Sequence, residues 1–427
     1  MILRIVNGRK LDPSDNTDQV SDLLVKDGKI IDPDQTVMAD RTIDASGCWV
    51  MPGLVDMHVH LRDPGYEYKE TLATGTAAAA KGGFTAVCSM ANTNPVTDTP
   101  EKIAKLIERS KNECSCRLLP IGSVTIGLQG ETLTDMKGMK EAGAIAFSED
   151  GRPVMNAEVY RQGLLAAKEV GKPVLDHAED LNLLAGGAMH AGPKADAFGV
   201  PGVRHCVEEV MTARDILLAK ETGAHLHLCH VSTKACVEML RIAKAAGIHV
   251  TAECCPHHLI LSVEDMPGLD TNFKMAPPLR DPEDVEAVRQ GMLDGTIDAI
   301  ATDHAPHSAA EKERPFAKAP NGIVGLETAV ALIITEFVRT GQMTPLEMAR
   351  RMSLAPSRIV GHFGGTLAPG APADITIIDP DAHYVIHREE LISKSKNTPF
   401  DGRGVFGRAV YTIVGGEIAY EYGGHTL

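Results

Sequence analysis

Thiolate pairs are what this sequence most conspicuously lacks. Its nine cysteines are scattered over 427 residues and never form two CxxC pairs. That excludes a cysteine-built zinc knuckle, and the odd count argues against a disulfide framework. Long apolar runs are also missing. The opening stretch MILRIVNGRK holds only a brief apolar run, with no cleavage-site pattern behind it, and no later run approaches the roughly 20 residues of a membrane span. The chain therefore reads as cytoplasmic. Positive charge is in deficit, with 42 Lys and Arg against 57 Asp and Glu and a formal net charge of -15. Nucleic acid and anionic membrane are thereby excluded as main partners, and an anionic ligand would need local positive groups. What remains is ordinary globular composition, 44% hydrophobic and 23% charged.

The periodicity changes twice along the chain. Residues 1–50 and 360–427 alternate apolar and polar positions between Gly, Asp and Pro breaks, as in ILRIVNG, DLLVKDGKIID, ADITIIDPD and RAVYTIVGGEIAYEY. The two ends are expected to meet in one small β-sandwich module. Between them, residues 51–359 alternate short apolar runs with helical stretches such as TPEKIAKLIERSKNE and STKACVEMLRIAKAAG. Eight strand candidates appear there: VDMHVH, FTAVCSMA, RLLPIGSVT, AIAFSED, PVLDHAE, HLHLCHVS, HVTAECC and DAIATDHA. Eight strands over about 250 residues predict a (β/α)8 TIM-type barrel, whose active site lies at the carboxyl ends of the strands.

Five of those ends carry a residue able to bind a metal: His58 and His60, Asp150, His177, His230 and Asp303. Strand alternation points residues 58 and 60 the same way, so their imidazoles converge. The same parity sends His225 and His227 of HLHLCH toward the outer helices and leaves His230 as that run's single ligand. Histidine and carboxylate ligands without thiolate suit a catalytic Zn²⁺ site, with Mn²⁺ or Co²⁺ as substitutes, and two ions sharing one carboxylate fit the set. Cys229, Cys254 and Cys255 read as small packing groups, and His257 and His258 as supports of the loop after the seventh strand. For His190 and His205, in the insertion between the fifth and sixth strands, the sequence suggests no role. Arg62 and Asp63, without the neighbouring histidines, would read as a surface ion pair.

In order along nearly the whole chain, GLVDMHVHLRDPG, SMANTNP, FSEDGRP, DHAED, LCHVST, FKMAPPLR, ATDHAPHS and GIVGLET resemble the motifs of class I dihydroorotases of the amidohydrolase superfamily. The resemblance implies reversible cyclisation of N-carbamoyl-L-aspartate to L-dihydroorotate plus water in pyrimidine biosynthesis, through a metal-bound hydroxide and an aspartate acid/base. It implies that His58 and His60 hold one zinc ion, that His177 and His230 hold a second, and that Asp150 bridges them. Asp303 would bind the first ion and move the proton, while Arg62, Asn92 and His307 grip the substrate carboxylate. Gly322, closing the polar segment 308–322, would let the backbone approach the ring, and that segment is expected to be a mobile loop. Position 276 departs from the family, with alanine where many members carry asparagine. Two protein partners are in play, a second copy of the chain and aspartate carbamoyltransferase. The enzymatic rival is a hydantoinase or allantoinase, whose bridge is a carboxylated lysine at the end of the fourth strand, where AIAFSEDG has none. A non-catalytic partner of aspartate carbamoyltransferase is the other alternative, opposed by the presence of all six ligands.

Overall fold

The computed structural model describes residues 2–33 and 37–423. Its centre is an eight-stranded sheet, all parallel, formed in chain order by Leu54–Val59, Phe84–Ser89, Arg117–Ser123, Ala146–Ser148, Val174–Asp176, Leu226–Leu228, Val250–Cys254 and Ala299–Ile300. These are the eight strands expected from sequence. A parallel bridge from Val59 to His304, with the amide of His60 donating to the carbonyl of His304 at 2.8 Å, closes the ring between the last strand's exit and the first strand. Met57, Cys88, Ile121, Ala146, Leu175, Cys229 and Ala299 come from seven strands or their ends and meet in one cluster with Ile359 and Val360. The barrel interior is thus filled by side chains. It is not a pore.

Helices follow the strands because the sequence supplies their caps. Thr71, Thr99, Asn156, Thr233 and Asp281 each accept a backbone N–H at the start of a helix on the barrel's outside. Such a cap is worth about 1 kcal/mol, and each buried Leu or Ile on the inner helix face, such as Ile103, Leu106 or Leu240, about 1.5–3 kcal/mol more. No described helix is long and apolar enough to cross a membrane.

Both chain ends enter one six-stranded sheet. Three C-terminal strands, Ile375–Val385, Gly404–Val414 and Glu417–Glu421, lie beside Trp49–Pro52, Arg9–Asp12 and Thr17–Val20. A four-stranded sheet of Ile2–Val6, Leu23–Lys26, Lys29–Ile31 and Arg41–Asp44 packs on it through Leu3, Ile5, Val25, Ile43, Ile375 and Ile413. The strand Trp49–Pro52 carries this sheet two residues beyond position 50 and runs into the first barrel strand.

The expected parity of the sixth strand is reversed. Leu226 and Leu228 pack with Val237 and Leu240 of the helix outside. His225 and His227 both hydrogen-bond the Thr251 hydroxyl at 2.9 Å, and His227 continues to Glu253, which reaches into the barrel. Alternation fails because the chain leaves the strand at Leu228 and turns at His230, whose φ is 35°. His230 arrives at the strand mouth by that turn, and not by strand register.

Candidate active site

Four imidazoles and two carboxylates converge at the carboxyl ends of the strands. Asp150 sits among all four histidines: its Oδ1 is 3.4 Å from His58 Nε2, 3.4 Å from His177 Nδ1 and 3.7 Å from His230 Nε2, and its Oδ2 is 3.4 Å from His60 Nε2. Asp303 lies on one side only, with Oδ1 3.1 Å from His60 Nε2 and 3.6 Å from His58 Nε2. His177 and His230 approach each other to 2.9 Å on the other side. Two triads, His58 with His60 and Asp303, and His58 with Asp150 and His230, have all their ligand atoms within 4.8 Å of one another. Within that cluster, His58 Nε2 and Asp150 Oδ1 are buried and have no hydrogen-bond partner among the described residues. Buried polar atoms are rarely left so, and here they face each other at the spacing of ligands around a cation.

Burial opposes charge on both carboxylates, but the charge of His58, joined at Asp303 by the hydrogen bond with His60, outweighs it, so Asp150 and Asp303 are held well below the usual carboxylate range. His58, fully buried, is nonetheless pushed well up by the acidic groups packed around it, Cys229, Glu253 and Asp150. A cation entering this cluster would therefore displace protons from it.

The cavity above the cluster has a volume of about 220 Å³ and is lined by His60, Asp150, His177, His230, Asp303, Arg62, Asn92, His307, Gly322 and Ala276, together with Gly151, Glu179, Ala305 and Asn321. Ten of the eleven residues expected from sequence thus line one space, and His58 lies beneath it. Arg62, at a φ of 61°, donates from Nε to the carbonyl of Pro306 at 3.1 Å and leaves Nη2 3.2 Å from His307 Nε2. The alternative of a surface pair between Arg62 and Asp63 is not seen, because Asp63 is taken by Arg109 in a two-bond ion pair at 2.6 and 2.9 Å. Arg62, His230 and Asp303 are all non-glycine residues at positive φ. Such conformations are costly, and here they cluster at the site. His307 is neutral, since burial and the nearby charges of Arg62 and Lys69 push it down to about 2. Its Nε2 faces the Asn321 carbonyl at 2.8 Å and its Nδ1 faces Lys69 Nζ at 3.3 Å, so it brings no charge to the cavity and both ring nitrogens have partners. Asn92 accepts from His60 Nδ1 at 2.9 Å and donates to Asp150 Oδ2 at 3.3 Å, so its amide spans both sides. At Gly322, φ is 130° and a Cβ would fall 2.6 Å from the Ala305 methyl, so no other residue fits there.

Several contributors carry no sequence signal of their own. Glu253 accepts from His58 Nδ1 at 2.6 Å and bonds His227 at 3.2 Å, both inside the barrel. Glu179 lies 3.5 Å from His177 Nε2. Asp56 ties the first strand to the eighth by accepting the Thr302 hydroxyl at 2.5 Å. Asn397, from the segment expected to belong to the terminal module, accepts the amide of His307 at 3.1 Å and donates to the carbonyls of Ala305 and Gly322. His258, in the short helix Pro256–Ile260, holds the carbonyl of Pro277 beside Ala276 at 2.9 Å.

The segment 308–322 is tied down where looseness was expected. The Lys312 ammonium, buried, donates to the carbonyls of Lys274, Pro320 and Gly322, and Lys274 donates to those of Phe316 and Ala319. Phe316 is buried beneath them.

A family model described as Dihydro-orotase-like matches residues 47–236. The chain is 49% identical over 423 residues to the dihydroorotase of Pelotomaculum thermopropionicum, covering 99% of each. It is 48% identical over 424 residues to that of Geobacter metallireducens, covering 99% of this chain and 100% of the relative. Among solved structures, the L-hydantoinase (dihydropyrimidinase) from Arthrobacter aurescens superposes with a TM-score of 0.89 at 28% identity, covering 100% of this chain and 97% of that one.

Proposed function

Because the chain belongs to the dihydroorotase family, we propose that it interconverts N-carbamoyl-L-aspartate and L-dihydroorotate, in pyrimidine biosynthesis, with two zinc ions held by His58, His60, His177, His230, Asp150 and Asp303. The observation that carries this reading is Asp150, one carboxylate within 3.7 Å of all four histidines. A hydantoinase-type bridge would require a lysine, and none lines the cavity among the described residues. Zinc supplies Lewis acidity there, polarising the scissile carbonyl and making water nucleophilic at neutral pH.

The chain's own groups do the rest. Among the described residues Arg62 provides the one fixed positive charge on the cavity wall, and with the Asn92 amide and the neutral His307 ring beside it, it binds the substrate's α-carboxylate. The reacting end is thereby aimed at Asp150 and Asp303. Asp303 Oδ1 is committed to His60, and Oδ2 makes no hydrogen bond among the described residues, which leaves it to move the proton. In ring opening, Asp303 Oδ2 takes a proton from the attacking water and delivers it to the departing ring nitrogen, which would otherwise leave as an unstable anion. In ring closure it accepts the proton shed by the ureido nitrogen and gives it to the departing oxygen. Gly322 and Asn321, held by Lys312 and Asn397, close the wall around the ring. The test is a comparison of purified protein on L-dihydroorotate, hydantoin and allantoin. Dihydroorotate is expected to lead in kcat/KM by at least about a hundredfold, the size of discrimination a few matched polar contacts supply. Preference for hydantoin or allantoin would overturn the assignment.

A further inference from the structure

The insertion between the fifth and sixth barrel strands brings a second group of metal-ligating side chains together, away from the cavity. His190 ends the strand Met189–His190, which pairs with Gly202–Val203, and His205 stands directly before the helix Cys206–Thr222. Asp281 caps the helix Pro282–Asp294, its Oδ1 accepting the amides of Glu283 and Asp284 at 3.0 and 3.1 Å. Its other oxygen is not used by the cap. That Oδ2 lies 3.5 Å from His190 Nε2 and 3.7 Å from His205 Nε2, and the two rings meet edge to face at 4.8 Å. Both separations are too long for hydrogen bonds. They match the edge of a tetrahedron built on metal–ligand bonds of about 2.1 Å, roughly 3.4 Å.

We propose that His190, His205 and Asp281, with solvent completing the coordination, form a separate site for a divalent cation of the zinc class, which clamps the insertion to the segment leading from Ala276 into the helix Pro282–Asp294. Asp284 Oδ2 is 2.7 Å from His205 Nε2, while its Oδ1 accepts the amide of Lys234 at 2.8 Å. Two neutral imidazoles and the Asp281 carboxylate, with the Asp284 carboxylate beside them, would balance a dication. The nitrogen and oxygen donors without thiolate favour Zn²⁺, with Co²⁺ as a spectroscopic substitute. A network of imidazolium–carboxylate pairs is the competing account of the same side chains. It fails at His190, which is buried, whose Nε2 stands too far from Asp281 for a hydrogen bond, and whose Nδ1 has no partner among the described residues. Because Asp281 follows Ala276 by five residues, the clamp would steady the wall of the cavity without touching the substrate.

The site is tested by counting metal. Wild type, Asp281→Asn and His205→Ala are stripped with chelator, reloaded with Zn²⁺ by dialysis and analysed for bound zinc per chain. Asparagine at 281 retains the helix cap, so the fold is expected to survive. Wild type is expected to hold one equivalent more than either variant, and Co²⁺-loaded wild type to show a tetrahedral absorption band that both variants lack, while dihydroorotate turnover persists in all three. Counting by difference keeps this result independent of how many ions the main site takes. Equal zinc content and identical Co²⁺ spectra in wild type and Asp281→Asn would overturn the proposal.

Discussion

Glu253 gives the sharpest test of how the fold prepares the metal cluster. It touches no substrate and lines no part of the cavity, yet it holds His58 at 2.6 Å from one oxygen and His227 at 3.2 Å from the other, with all three side chains fully buried. Burial alone would favour its neutral form, but the two histidines outweigh that and bring it down to about 2, so it is a permanent anion. Its task is to fix His58 with Nδ1 protonated and the Nε2 lone pair aimed at Asp150. Removing such a partner of a ligating histidine costs about 10–100-fold in metal affinity, which is roughly 1.4–2.8 kcal/mol at 1.4 kcal/mol per decade. Glu253→Ala should fall in that range. Glu253→Gln keeps an acceptor oxygen near His58 Nδ1 and should lose less than about tenfold. Because breaking a buried charged pair costs about 3–5 kcal/mol in stability, circular dichroism must first show that each variant is folded. Zinc affinity is then read by competition with a chromophoric chelator. If folded Glu253→Ala bound zinc as tightly as wild type, or if glutamine were worse than alanine, the positioning role would be refuted.

Asp150→Ala should lose bound zinc and at least about a hundredfold in turnover together, since on the proposed reading this carboxylate would hold both ions; near-native activity with unchanged metal content would remove Asp150 as the bridge. Lys312, buried against carbonyls, is pushed down from 10.5 to about 7 by desolvation and by Lys274. The unfolded chain therefore binds a proton that the folded chain does not between pH 7 and 10.5, so this group makes stability rise with pH there, by at most about 1.4 kcal/mol per unit. Below pH 7 both states carry the proton and the slope vanishes. Lys312→Met should abolish the increment, and a wild-type-minus-variant stability difference that stayed flat from pH 7.5 to 9.5 would contradict the assignment. Ala276→Asn adds at most one neutral hydrogen bond, about 0.5–1.5 kcal/mol, so kcat/KM for dihydroorotate should change by no more than about tenfold; a switch of preferred substrate would make position 276 a specificity determinant.

The barrel, and the gathering of the candidate ligands at its mouth, were legible because they rest on local signals. Each strand is a short apolar run, five of the eight end in a residue able to bind a metal, and helices such as Pro100–Glu113 and Lys234–Ala245 begin with a capping side chain. Parity failed where a single backbone angle intervened: at a φ of 35°, His230 leaves the alternation that correctly paired His58 and His60. Glu253 was illegible for another reason. It stands 195 positions from His58, and nothing local distinguishes a buried glutamate that orients a ligand from one that faces solvent. Asn397 is similar, a residue from the far end of the chain whose amide closes the pocket wall. The segment 308–322 misled by composition, since its lysines and glutamates read as a solvated loop. Lys312 instead turns inward, where three carbonyls accept its protons.

Charge links metal to substrate binding in a way that chemistry alone does not require. The cavity wall carries the carboxylates of Asp150, Glu179 and Asp303 with Arg62 as its fixed cation, Glu253 lies just beneath, and His307 is neutral. Without metal, protons raised onto His58 and His177 offset two of those four negative charges. Counting Arg62, the surroundings still sum to about one unit negative. Two divalent ions displacing those two protons would leave them about one unit positive. At roughly 4 kcal/mol per charge pair at 4 Å and an effective dielectric of 20, reduced by solvent and distance, that reversal decides whether a dicarboxylate enters. Metal-free protein should therefore lose at least about tenfold in affinity for a non-reacting dicarboxylate analogue of carbamoyl aspartate, and regain it on addition of zinc. Isothermal titration on folded, chelator-stripped protein reads this directly. Undiminished binding to that protein would mean that Arg62, Asn92 and His307 suffice, and that the ions serve the chemistry only.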